Sequence, residues 1–278
     1  MDVLLRDGLR LHARTGGAGP PVLLLHGFTG SAESWDDGLL RELGRAHRWI
    51  AVDLPGHGRS DRPGDPGRYA LEAVVADLAD LLDAAGAEAA AWIGYSMGGR
   101  IALGAAALAP ARVRGLVLES ASPGLATEEA RAVRRREDAA LAGRLRSDGI
   151  AAFVAEWEAR PLFATQERLP PSVRAAQRRR RLANDASSLA ACLGGLGTGS
   201  QPDFWDALPD IRAPTLVVAG CEDTKFADIG RRMAAALPVA RLALVPGAGH
   251  AVHLEAPEAW LREVGSFLST VGGTEAEA

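Results

Sequence analysis

Short apolar, β-branched runs alternate along the chain with longer stretches whose apolar residues recur at helical spacing. Val22–Leu25, Trp49–Val52, Ala91–Gly94, Leu116–Leu118, Thr215–Ala219 and Leu242–Val245 read as buried strands. Leu71–Ala85, Gly98–Ala109 and Ile229–Leu237, lying between them, read as helices. The strand runs lack an in/out alternation, as strands covered on both faces do. Strand and helix in alternation predict an α/β fold, with a mostly parallel central sheet and helices on both of its faces.

The alternation stops after Ser122-Pro123-Gly124 and resumes at Ala213-Pro214-Thr215. Between them lie Arg- and Ala-rich helical stretches at Glu128–Leu145, Ile150–Trp157, Ser172–Asn184 and Ser187–Leu193, with no convincing strand. The expected organisation is a discontinuous core of residues 1–122 and 209–271. A helical cap is inserted at 123–208, and 272–278 form a polar, flexible tail.

Composition narrows the setting. The 278 residues are 47% hydrophobic and 24% charged, an ordinary globular balance. The net charge of −4 argues against a nucleic-acid binder. Apolar runs are strand-sized, too short to span a membrane, and no secretory leader is visible. Cys192 and Cys221 lie in no metal-ligand or disulfide pattern, so a reducing cytoplasm is the expected location. No dinucleotide fingerprint, P-loop or metal-spaced cluster is present, and no cofactor or metal is expected. Of the 31 Lys and Arg residues only Lys225 is a lysine.

Gly94-Tyr95-Ser96-Met97-Gly98 lies between a predicted strand and a predicted helix, the context a G-x-S-x-G nucleophile elbow requires. So tight a turn needs small residues two before and two after the serine. It also sets the Met97 N–H at a helix N-terminus, where an anion is favoured. His250, in Gly247-Ala248-Gly249-His250 after the last strand, is the candidate base; His253 is its competitor. Asp223, after the strand Thr215–Ala219, is the candidate acid to orient that base, with Glu222 beside it as the alternative. His26-Gly27-Phe28 ends the first strong strand and offers the Phe28 N–H as a second oxyanion donor. Asp53–Ser60 reads as a tight structural loop. Arg100 falls one helical turn after Ser96, on the face toward the cavity.

The run HGF…DLPGHGRS…GYSMGG…GCED…GAGH, from Val22 to Glu255, resembles the α/β-hydrolase fold, a scaffold that hosts many chemistries. GYSMGGR, SPGL, the spaced arginines of the insertion, GTGSQP and DTKF together are similar to the 2-succinyl-6-hydroxy-2,4-cyclohexadiene-1-carboxylate synthase family of menaquinone biosynthesis. The resemblance implies a lyase that abstracts a ring proton and eliminates pyruvate. Its partner would be a small tricarboxylate substrate, with no nucleic acid or membrane, and the enzyme a monomer or small homo-oligomer. It further implies Arg100, Arg131 and Arg181 as carboxylate binders, with Tyr95, Trp157 and Lys225 lining the pocket. Ala126 stands where some relatives carry Gln, which removes one side-chain contact. The competing expectation is a carboxylesterase, enol-lactonase or C–C-bond hydrolase on the same triad.

Overall fold

The computed structural model describes residues 1–271; the tail expected at 272–278 lies outside the described residues. Eight strands form one sheet: β1 (Asp2–Leu4), β2 (Arg10–Gly16), β3 (Pro21–Leu25), β4 (Arg48–Val52), β5 (Ala90–Tyr95), β6 (Val113–Glu119), β7 (Thr215–Gly220) and β8 (Ala240–Val245). Their order is β1-β2-β4-β3-β5-β6-β7-β8. The two N-terminal strands pair antiparallel, and β4 through β8 run parallel. All six predicted strands are present. The antiparallel β2 was not among them, although Arg10-Leu11-His12-Ala13-Arg14 alternates outward and buried side chains as an edge hairpin should.

The core helices are α1 (Asp37–Leu43), α2 (Leu71–Ala84), α3 (Met97–Leu108), α7 (Thr224–Ala236), α8 (Val252–Glu255) and α9 (Pro257–Val271); α4, α5 and α6 follow below. Period-two geometry divides each central strand between two cores. Leu23 and Leu25 of β3 join Leu78, Ile101 and Met233 of α2, α3 and α7. Val22 and Leu24 join Leu40, Trp260 and Phe267 of α1 and α9 on the opposite face. Covering both faces is why the strands read as unbroken apolar runs.

Between β6 and β7 every regular element is helical: α4 (Glu128–Glu158), α5 (Pro171–Leu182), α6 (Ala186–Leu196) and short 3-10 turns. α4 is two helices joined at Gly149, whose φ of 79° is left-handed and open to glycine. That position separates the two helical stretches predicted from sequence. α4 and α6 carry a small core of their own, with Leu145, Phe153, Val154 and Leu189 buried together. Asn184 ties these helices to the sheet by donating to the Thr29 carbonyl at 2.9 Å.

Candidate active site

The C-terminal ends of β3, β5, β7 and β8 lie along one edge of the sheet, where ligands of open α/β sheets bind. After β5 the chain turns directly into α3, and Ser96 takes φ 52° and ψ −109°. A non-glycine residue here is strained and has to be held by its surroundings. Ser96 N donates to the Glu119 carbonyl at 2.8 Å. A Cβ on Gly94 would collide with Gly98, and one on Gly98 would collide with the Leu25 carbonyl. Both glycines of the motif are therefore required by packing.

His250 Nε2 stands 3.1 Å from Ser96 Oγ, and its Nδ1 is 2.6 Å from Asp223 Oδ2. Since a carboxylate only accepts, Nδ1 carries the proton and Nε2 faces the serine as acceptor. His250 is 2% exposed and Asp223 8%, so the pair is shielded from solvent. Asp223 does a second task as N-cap of α7, accepting from Phe226 N at 3.3 Å. Its neighbour Glu222 points away, to Arg168 at 3.0 Å. His253 bonds Glu119 rather than Ser96. The Asp53 loop is structural: Asp53 accepts from Ala32 N and Arg59 N at 2.6 and 2.7 Å.

Ser96 and His250 open on a cavity of 420 Å³, also lined by Phe28, Met97, Tyr95, Trp157, Arg100 and Lys225. Phe28 follows β3 and Met97 begins α3, so both backbone N–H groups belong to segments that border Ser96. A Cβ on Gly27 would stand 2.7 Å from the Tyr95 ring, so the loop carrying Phe28 can come this close only with glycine there.

The cavity is rich in cations. Arg100 donates to Gln201 Oε1 and to the Leu196 carbonyl, both at 2.6 Å, and has no carboxylate partner among the described residues. Burial first, and Arg134 second, lower its pKa to about 10. A guanidinium held by neutral acceptors in such a place is an open seat for an anion. Lys225 is exposed at the rim, its Nζ 5.5 Å from the Phe226 ring centre.

Two arginines expected at the site are placed otherwise. Arg131 does not line the cavity: it is held by Glu128 at 3.0 Å and by the Leu125 carbonyl at 2.7 Å. Arg134, one turn further along α4, lines it instead. Arg181 borders a separate recess of 50 Å³ that shares Phe28, Tyr95, Trp157 and Phe163 with the main cavity. There it pairs with Glu158 at 3.1 Å.

Sequence reasoning also missed Arg160 and Ser120, both on the cavity wall. Arg160 lies just past the C-cap of α4 in extended backbone, and its guanidinium carbon lies 4.3 Å from the centre of the Trp157 ring. Ser120 has φ 47° and a buried hydroxyl with no partner among the described residues. Nothing in its local sequence announces that.

Residues 20–257 match the model of the family described as alpha/beta hydrolase fold. A Bacillus subtilis (strain 168) protein named provisionally as a 2-succinyl-6-hydroxy-2,4-cyclohexadiene-1-carboxylate synthase is 41% identical, covering 98% of this chain and 99% of its own. The synthase of that name from Escherichia coli O1:K1 / APEC is 33% identical over 94% of this chain and 98% of its own. The solved structure of MenH from S. aureus superposes with a TM-score of 0.90 at 32% identity, covering 94% of this chain and 98% of that one. The chain belongs to the α/β-hydrolase fold family. Within that fold its family is that of the 2-succinyl-6-hydroxy-2,4-cyclohexadiene-1-carboxylate synthases.

Proposed function

We propose that this protein removes a ring proton from 2-succinyl-5-enolpyruvyl-6-hydroxy-3-cyclohexene-1-carboxylate and eliminates pyruvate, a step of menaquinone biosynthesis. The observation that carries the reading is Arg100, a half-buried cation without a carboxylate partner among the described residues, in the same cavity as a hydrogen-bonded Ser96–His250–Asp223 triad. Acyl transfer to simple esters gives no use for such a cation. A substrate with three carboxylates does.

The residues support a specific course. His250, oriented by Asp223, takes the Ser96 proton, and Ser96 Oγ takes the ring proton beside the succinyl carbonyl. The electron pair moves onto that carbonyl oxygen, where the Phe28 and Met97 N–H groups are the donors for the developing charge. Donors of this kind are worth about 3 kcal/mol each. Return of the electron pair through the ring double bond expels the enolpyruvyl oxygen. The departing enolate takes the proton held on His250 and becomes pyruvate, a conjugated diene remains, and Ser96 forms no covalent bond.

Arg100 and Arg134 are assigned to substrate carboxylates, with Tyr95, Trp157 and Lys225 shaping the pocket. Arg181, in the side recess, is assigned to an anionic group reaching past Tyr95. Residues 123–208 act as the cap over the triad. Among the described residues no helix is long and apolar enough to cross a membrane. A cytoplasmic enzyme that is a monomer or small homo-oligomer fits the reading.

The test is direct. The purified protein should release pyruvate from the authentic substrate and turn over p-nitrophenyl acetate poorly. Strong esterase turnover without pyruvate would sink the proposal. So would an acyl-Ser96 adduct trapped with the native substrate.

A further inference from the structure

The cavity wall holds more positive charge than its own carboxylates balance. Arg100 comes from α3 in the core, Arg134 from α4, and Arg160 from just beyond the end of α4. Arg134 acts on both Arg100 and Arg160 as a repelling charge, and Asp138 is the carboxylate that eases both. Asp138 is buried and is bonded to Arg134 Nε at 2.8 Å. Glu156 reaches Arg160 only at 3.8 Å; it is half exposed and already paired with Arg144 at 3.1 Å. Three guanidiniums thus face one cavity with a single buried carboxylate among them. Burial lowers the pKa of Arg160 as well as that of Arg100.

We infer that Arg160, braced on the Trp157 ring, reads one carboxylate of the substrate, forming with Arg134 a cap-side clamp opposite the core-side seat at Arg100. The inference rests on the tricarboxylate reading above and adds a specificity residue to it. Three features support it. The Arg160 guanidinium carbon rests 4.3 Å from the centre of the Trp157 ring, a cation–π contact that restrains the side chain against the cavity wall. The Trp157 Nε1 is buried without a partner among the described residues, on the same wall, and can donate to the same anion. The unbalanced charge calls for a ligand carrying more than one carboxylate, with acidic groups set apart along its length.

The experiment compares four substrates: the tricarboxylate and its three monoamides, each with one carboxylate neutralised. Appearance of the diene, read by ultraviolet absorbance, gives kcat/KM for wild type, Arg160→Gln and Arg160→Lys. Wild type should disfavour each amide, by roughly ten- to hundredfold. Arg160→Gln should lose a similar factor on the tricarboxylate and erase the penalty for one amide only. Arg160→Lys should recover part of the loss. Equal loss on all four substrates would make Arg160 a packing residue and overturn the inference. So would no loss on any. If wild type forms no diene from the tricarboxylate, the proposed reaction itself has failed, a distinct outcome.

Discussion

His253 Nδ1 lies 2.8 Å from the fully buried carboxylate of Glu119, the residue whose backbone carbonyl accepts from Ser96 N. The same carboxylate accepts from His253 N at 3.1 Å and from Trp260 Nε1 at 2.8 Å. Glu119→Gln is expected to destabilise the protein by about 3 kcal/mol, because the amide sets a donor against a donor in a fully buried site. Urea denaturation checks this. Activity per folded molecule should fall much less than stability, since Glu119 touches no reacting atom.

Arg134→Ala and Arg131→Ala separate the cavity-facing turn from its neighbour. Arg134→Ala should lower kcat/KM by roughly a hundredfold, the cost of leaving a charged acceptor unpaired. Arg131→Ala should change it by less than about threefold, as expected of an exposed ion pair. Steady-state pyruvate release decides; comparable losses would return Arg131 to the site.

Gly98→Ala forces a methyl group against the Leu25 carbonyl at the elbow. The expected cost is about 2–3 kcal/mol of stability from overpacking. Turnover should fall far more than the folded fraction does, because Ser96 and Met97 both shift. Thermal melting and pyruvate release on the same preparation measure the two effects.

Stability should fall as pH drops below about 6.5, the ordinary histidine pKa. Burial lowers His26 to about 4 and His57 to about 3. Nε2 of His26 accepts from Leu54 N at 3.1 Å, which requires the neutral ring. With both folded pKa values depressed, the unfolded chain binds more protons through this range. The stabilisation is complete above the unfolded pKa and is lost toward pH 4 and then 3. Each histidine contributes up to about 1.4 kcal/mol per pH unit. Asp77, raised to about 6 by burial despite Arg68, has the opposite slope between its unfolded value and pH 6, and offsets one histidine there. Urea midpoints at pH 7, 6, 5 and 4 should therefore decline; a flat profile contradicts the neutral assignment.

What the sequence made legible follows from which interactions are local. The elbow was readable because Gly94, Ser96 and Gly98 answer to one turn. Asp223 and His250 were readable because each follows a buried apolar run. The helix after Asp223 was placed from Ile229, whereas α7 begins at Thr224; Asp223 is its N-cap, a signal masked by its catalytic reading. Which arginine of each run turns inward was not legible, so Arg131 was named where Arg134 lines the cavity and Arg181 was placed in the main cavity rather than the adjoining recess. In an Arg-rich helix every face carries a cation, so only packing against α6 and the core decides which one turns inward. Ser120 was beyond reach, since its unpartnered hydroxyl depends on where β6 ends relative to Ser96.

The left-handed backbone at Ser96 carries a cost of its own. At φ 52° a glycine would rest where the serine is forced. Ser96→Gly should therefore yield a dead protein that resists urea better than the working one, by about 1 kcal/mol or more. The margin between the two would measure how much robustness the protein forgoes to keep its oxygen in place. It would also mark this residue as the point where selection for turnover and selection for durability pull in opposite directions.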